Sequence, residues 1–195
     1  MAVPHFKLLA GLGNPGEEYR DTPHNAGFWF IDALAARCQV QLRREPQYQA
    51  RCVRARIGDF DCWLLQPLTY MNRSGQALRA FCDYYRITLA ETLVIHDEID
   101  LPPGALRLKF GGGHGGNNGL RDIIATCGAD FWRLRIGVGH PGHKDLVADY
   151  LLTRARSEQR VAIDDAVARA VALVPELLQD GADKVMNSLH RRESD

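Results

Sequence analysis

The chain has 195 residues, 46% of them hydrophobic, which is enough for one sizeable core and short for two, so residues 1–195 are expected to form one domain. Its 24 basic and 24 acidic residues cancel, so bulk charge gives no sign of a nucleic-acid partner. No stretch approaches the ~18 apolar residues of a membrane span, and the opening MAVPHFKLLAGLG lacks the charged start and cleavage region of a signal peptide. The expectation is a cytoplasmic protein with no membrane contact. Cys38, Cys52, Cys62, Cys82 and Cys127 form no CxxC pair and are odd in number, which argues for reduced, buried thiols.

In chain order, the apolar run at 6–10 ends in Gly11 and reads as a buried strand. Phe28, Ile31, Leu34, Ala35 and Cys38 then share one face of a helix. Residues 63–65 suggest a further strand, and Leu78, Phe81, Cys82 and Tyr85 a second helix. The run 92–95 is a strand ending in His96 and Asp97, and 105–110 is another. The segment GGGHGGNNG at 111–119 leaves the backbone free to turn before a helix bearing Leu120, Ile123, Ile124 and Cys127. A strand at 132–138 follows. The last helix is expected to start after Ser157 as its N-cap, to turn Ile163, Val167, Val171, Val174 and Leu178 inward, and to kink at Pro175. Strands alternating with helices of this length indicate an α/β fold: one mixed, twisted sheet flanked by helices on both faces.

Charge is unevenly placed. Residues 105–144 carry six basic and two acidic side chains, an excess that a solvated face or polyanion binding would equally explain.

Gly11, Gly13 and Gly16 satisfy GxGxxG directly after a strand, the fingerprint of dinucleotide binding. The context is wrong for it. Pro15, Gly16, Asp21, Thr22 and Pro23 keep the chain irregular until Asn25, where the fingerprint needs a helix to begin, and Asp32 falls in a helical pattern instead of at a strand end. Ser74, Ser157 and Ser188 lie in no GxSxG elbow, which disfavours a serine nucleophile. The histidines and acids of HDEID and HPGH match no trusted zinc spacing. Attack by water remains, for which one histidine as base and one carboxylate to fix its tautomer suffice. His24 stands in a turn-rich loop before a helix. Asp97 and Asn14 each follow an apolar strand, at the end where open α/β sheets place their ligands. Asn25, Asn72 and Asn118 stand at helix starts, where they are expected to cap and to line a polar site for an ester carbonyl or phosphate.

These residues sit in blocks that resemble the bacterial peptidyl-tRNA hydrolases over residues 6–190: GLGNPGEEYRDTPHNAGF, QPLTYMNRSG, HDEIDLPPG with GGGHGGNNGLRDI, and RLRIGVGHPG. The resemblance implies a mixed sheet flanked by helices, no metal or other cofactor, and a monomer acting on peptidyl-tRNA. By position it implies that His24 is the general base, Asp97 its orienting partner and Asn14 a hydrogen-bonding residue near the ester. It further implies that Asn72 and Asn118 bind peptide backbone and order water, with Tyr19, Tyr70 and Met71 lining the cleft, and that Lys109, Arg135 and Lys144 meet transfer-RNA phosphates; Asn25 and Asn117, which stand beside His24 and Asn118, are expected to join them in binding substrate. One position departs: the family pattern often has histidine before Asn118, and this chain has Asn117. That departure is the one hint of an alternative, a catalytically idle RNA-binding module of the same fold. A metal-dependent nuclease or peptidase is the other alternative.

Overall fold

The structure is a computed structural model that describes residues 5–192. Strand β1 (Leu8–Gly11) leads through two short 3-10 turns, at Glu17–Tyr19 and Pro23–Asn25, into helix α1 (Ala26–Arg37). Then come β2 (Arg43–Glu45), β3 (Ala50–Ile57), β4 (Phe60–Pro67), α2 (Ser74–Tyr85), β5 (Thr92–Glu98), β6 (Leu106–Phe110), α3 (Asn118–Cys127) and β7 (Trp132–Gly137). Helices α4 (Val147–Leu152), α5 (Ser157–Asp180) and α6 (Ala182–Arg192) complete the described chain.

The seven strands form one sheet in the order β2-β3-β4-β1-β5-β7-β6. Its centre is parallel, with β1 between β4 and β5 and β7 beside β5, while β2, β3 and β6 run antiparallel to their neighbours. Sheets covered on both faces need strands without a polar side, which is why β1 and the middle of β5, Leu93 to Ile95, read as apolar runs. Successive residues nevertheless serve different cores. Leu9, Leu64, Leu93 and Ile95 pack with α1, α5 and α6, whereas Leu8, Ala10, Leu65 and Val94 pack with α2 and α3.

Two strands escaped the sequence reading. In β3 the arginines at 51, 54 and 56 break any apolar run, and β2 is the three-residue edge RRE. The antiparallel pairing supplies the missing reason for their order: β3 is zipped to β4 over its whole length, and Arg54 and Arg56 meet Asp61 at 3.2 and 3.6 Å. A second correction concerns Ser157, which is the first residue of α5. The capping position belongs to Arg156, whose backbone N–H donates to Gln159 Oε1 at 3.3 Å. Pro175 lies inside that helix, and the terminal α6 is a separate element.

The sheet delivers the site through its register. Asp97 is two residues beyond Ile95 on β5, so its side chain emerges on the same face as α1. Helix α1 is drawn tightly onto that face by glycines. A Cβ on Gly27 would collide with the backbone of Leu12 and lie 2.5 Å from Ile95 O, and one on Gly13 would lie 2.6 Å from the Phe28 ring. Gly11 and Gly13 therefore serve helix packing, Gly16 takes the positive φ of the turn that follows, and α1 begins only at Ala26, after two 3-10 turns. The dinucleotide reading loses its structural basis.

Candidate active site

His24 lies in the 3-10 turn that leads into α1, and Asp97 near the end of β5. Their side chains meet with His24 Nδ1 2.8 Å from Asp97 Oδ2, and both residues are buried, at 7% and 2% exposure. A carboxylate only accepts, so the neutral imidazole donates from Nδ1 and keeps Nε2 as its basic nitrogen. Burial works to lower the His24 pKa. The charge and hydrogen bond of Asp97 outweigh it and hold the value above the ordinary histidine range.

Asn25 does not cap α1 with its side chain. Its Oδ1 accepts from Asn14 N at 2.8 Å and its Nδ2 donates to Asn14 O at 3.0 Å, a two-sided clamp on the backbone after β1. Asn14 in turn accepts the Met71 N–H on Oδ1 at 2.7 Å, so what its amide has left to offer is the Nδ2 donor. Asn117 caps α3: its Oδ1 accepts from Gly119 N and Leu120 N at 2.9 and 3.1 Å. The adjacent Asn118 is the first helical residue, and its Oδ1 takes a bond from Arg121. Neither Asn25, Asn72 nor Asn118 caps with its side chain; the cap on α3 falls to Asn117. Asn72 is exposed in the turn before α2.

His24 and Asp97 open on a cleft of about 410 Å³ that also has Asn117, Asn118, His140 and Lys144 on its wall. Ile99, Val147 and Leu151 give it an apolar side. That side was not legible in the sequence, because α4 has six residues and is too short to show a helical period. Lys109 and Arg135 line a neighbouring cavity of about 260 Å³, which shares Glu98 and Gly115 with the first. Asn14, Tyr19, Asn25, Tyr70, Met71 and Asn72 lie outside both linings. Tyr70 is 60% exposed, whereas Met71 is buried, bonded through its backbone to Asn14 and with its Sδ against Gly119.

The local basic excess is partly engaged within the fold. Arg133 is buried and donates to Gly112 O and Gly113 O at 2.6 and 2.5 Å, tying down the glycine loop. Arg135 is paired with Glu98 at 2.8 Å. A cavity of about 450 Å³ between α1 and α5 holds no comparable pair of reactive groups. There the Arg160 guanidinium stacks on Trp29 at 3.8 Å and bonds Asp164 at 2.9 Å.

Residues 8–195 match the family described as Peptidyl-tRNA hydrolase. The chain belongs to the peptidyl-tRNA hydrolase family. It is 50% identical to a peptidyl-tRNA hydrolase of Halorhodospira halophila over 187 residues, covering 95% of this chain and 96% of that one. A Delftia acidovorans peptidyl-tRNA hydrolase is 51% identical over 186 residues, 95% and 90% of the two chains. The crystal structure of peptidyl-tRNA hydrolase from Acinetobacter baumannii superposes with a TM-score of 0.93 at 44% identity, over 97% of this chain and 96% of that one. The expected α/β architecture is thus the architecture of this family. Among the described residues, no helix is long and apolar enough to cross a membrane.

Proposed function

We propose that the chain hydrolyses the ester between peptide and transfer RNA in peptidyl-tRNA, using a water activated by His24. The observation that carries the residue assignment is the buried His24–Asp97 pair at the wall of the cleft. Asp97 holds the Nδ1–H tautomer, and His24 Nε2 takes the proton of the attacking water. A positioned base of this kind supplies about 10² to 10⁴ in rate. The ester is more reactive than an amide, so positioning and one base suffice without a covalent intermediate. Asn14, with its amide orientation fixed by Met71, offers Nδ2 to the reacting ester, and Asn118 offers its amide to the peptide. Lys144 on the cleft wall, with Lys109 and Arg135 next door, meets transfer-RNA phosphates. The working unit is one domain, acting as a monomer in the cytoplasm, where translation generates the substrate.

Family membership over nearly the whole chain favours a working enzyme over a catalytically idle RNA-binding module. The test is single-turnover release of transfer RNA from an N-acyl-aminoacyl-tRNA, with and without chelator. Wild-type release that resists chelator and vanishes in His24→Ala is expected. Loss to chelator would favour the metal-dependent alternative, and an inert wild type the idle module.

A further inference from the structure

Asn117 stands where the chain departs from the family pattern, and its amide does two things at once. Its Oδ1 is committed to the N–H groups of Gly119 and Leu120, donors of the first turn of α3 that have no partner within the helix. An amide has its acceptor and donor on opposite arms, so this commitment fixes the direction of Nδ2. Nδ2 is turned to Asp97 and donates to Oδ1 at 3.4 Å, while Oδ2 of the same carboxylate faces His24. The contacts close into a ring. Asn25, next to His24, clamps Asn14; Asn14 takes the Met71 N–H; Met71 Sδ lies 2.5 Å from where a Cβ on Gly119 would sit; and Gly119 N–H returns to Asn117.

We infer that Asn117 is a positioning residue for the hydrolysis: its cap on α3 aims its amide, and the amide steadies the second oxygen of Asp97 so that His24 is held for proton transfer. This rests on the His24–Asp97 assignment above. A carboxylate held at one oxygen is free to swing about its last bond, and displacements near 1 Å at a reacting centre cost on the order of 10² in rate. An imidazole in place of Asn117 would titrate in the same range as His24. The amide cannot, so the dyad keeps one titrating base.

Capping and donating separate by substitution. Asn117→Ser and Asn117→Asp retain a capping oxygen and lose Nδ2, whereas Asn117→Ala loses both. Single-turnover release from N-acyl-aminoacyl-tRNA, followed across pH and alongside thermal melting, reads the two roles independently. Asn117→Ala should melt about 2–4 °C lower, and Asn117→Ser close to wild type. All three should release transfer RNA at saturation roughly tenfold more slowly or worse, with KM nearly unchanged. In Asn117→Asp the added negative charge beside Asp97 should move the acid limb of the rate profile to higher pH. Wild-type kcat in Asn117→Ser would leave only a cap and overturn the inference. Raised KM at unchanged kcat would also overturn it, making Asn117 a substrate contact. His24→Ala in the same assay distinguishes the levels, since hydrolysis surviving there removes the dyad itself.

Discussion

Replacing Glu98 by glutamine should tighten transfer-RNA binding and make it more salt-sensitive, because Glu98 is an internal anion already seated on Arg135. The two side chains meet at 2.8 Å and are only 13% and 23% exposed. A phosphate that engages Arg135 must displace that carboxylate, so the wild-type arginine releases little net counterion. In Glu98→Gln the guanidinium is open to one more phosphate, and the slope of log affinity against log salt should steepen by about 0.9. From about 50 to about 200 mM salt, a 0.6 log interval, that is roughly 3.5-fold more loss of affinity than wild type shows. Equilibrium binding of deacylated transfer RNA over a salt series measures this without involving the chemical step. The backbone of β5 is not disturbed, since the Val138 N–H bonds the Glu98 carbonyl and not its side chain. An unchanged slope would mean that Arg135 meets no phosphate. Weaker binding at every salt would mean that Glu98 is needed to hold the arginine in place, which refutes the argument from the other side.

His24→Ala should abolish release while leaving transfer-RNA affinity within about twofold in the same binding assay, since a base acting on water adds little to ground-state binding. The His24 pKa is raised, so kcat/KM should fall with acid through an inflection above the ordinary histidine value, and Asp97→Asn should move that inflection down, because burial then acts without its opposing charge. By linkage, the His24–Asp97 pair contributes stability that is full below the unfolded histidine pKa and is lost as pH rises through the higher folded one; an Asp97→Asn penalty in thermal melts that shrinks with rising pH across that window would verify it. Gly27→Ala forces a Cβ against the backbone of Leu12 and Ile95 and should cost about 1–3 kcal/mol or more, lowering the melting temperature and kcat together as α1 lifts off. Melting and activity both unchanged would show that the α1 contact is softer than its geometry.

What the sequence disclosed follows from burial. The central strands β1 and β5 lie under helices on both sides, so their apolar runs were plain, and His24, Asp97 and Asn14 stood out because polar residues end those runs or interrupt the turns beside them. The residues suggested His24 and Asp97 as a base and its carboxylate, and the resemblance assigned their roles, but that they touch, 73 positions apart in the chain, is a fact of register and of the Gly27 contact. Arginine-bearing β3 and short α4 carry signals that local periodicity does not register. The basic segment misled in a different way. A count of charges does not distinguish Lys144, exposed on the cleft wall, from Arg133, buried in service of the glycine loop.

The strand order has a consequence in time. Among the described residues β6 pairs only with β7, and β7 fills the gap between β5 and β6, so the sheet beyond β5 stays unfinished until residue 137 has been made. The cleft wall at Val147 and Leu151, and the α5 and α6 residues that cover the α1 face, come later still. Long-range pairings of this kind are intrinsically slow to form. While it is being synthesised, this chain is itself a peptide esterified to transfer RNA. Its topology leaves the outer half of the sheet, and the Val147 and Leu151 wall of the cleft, to be added only after most of the chain is made.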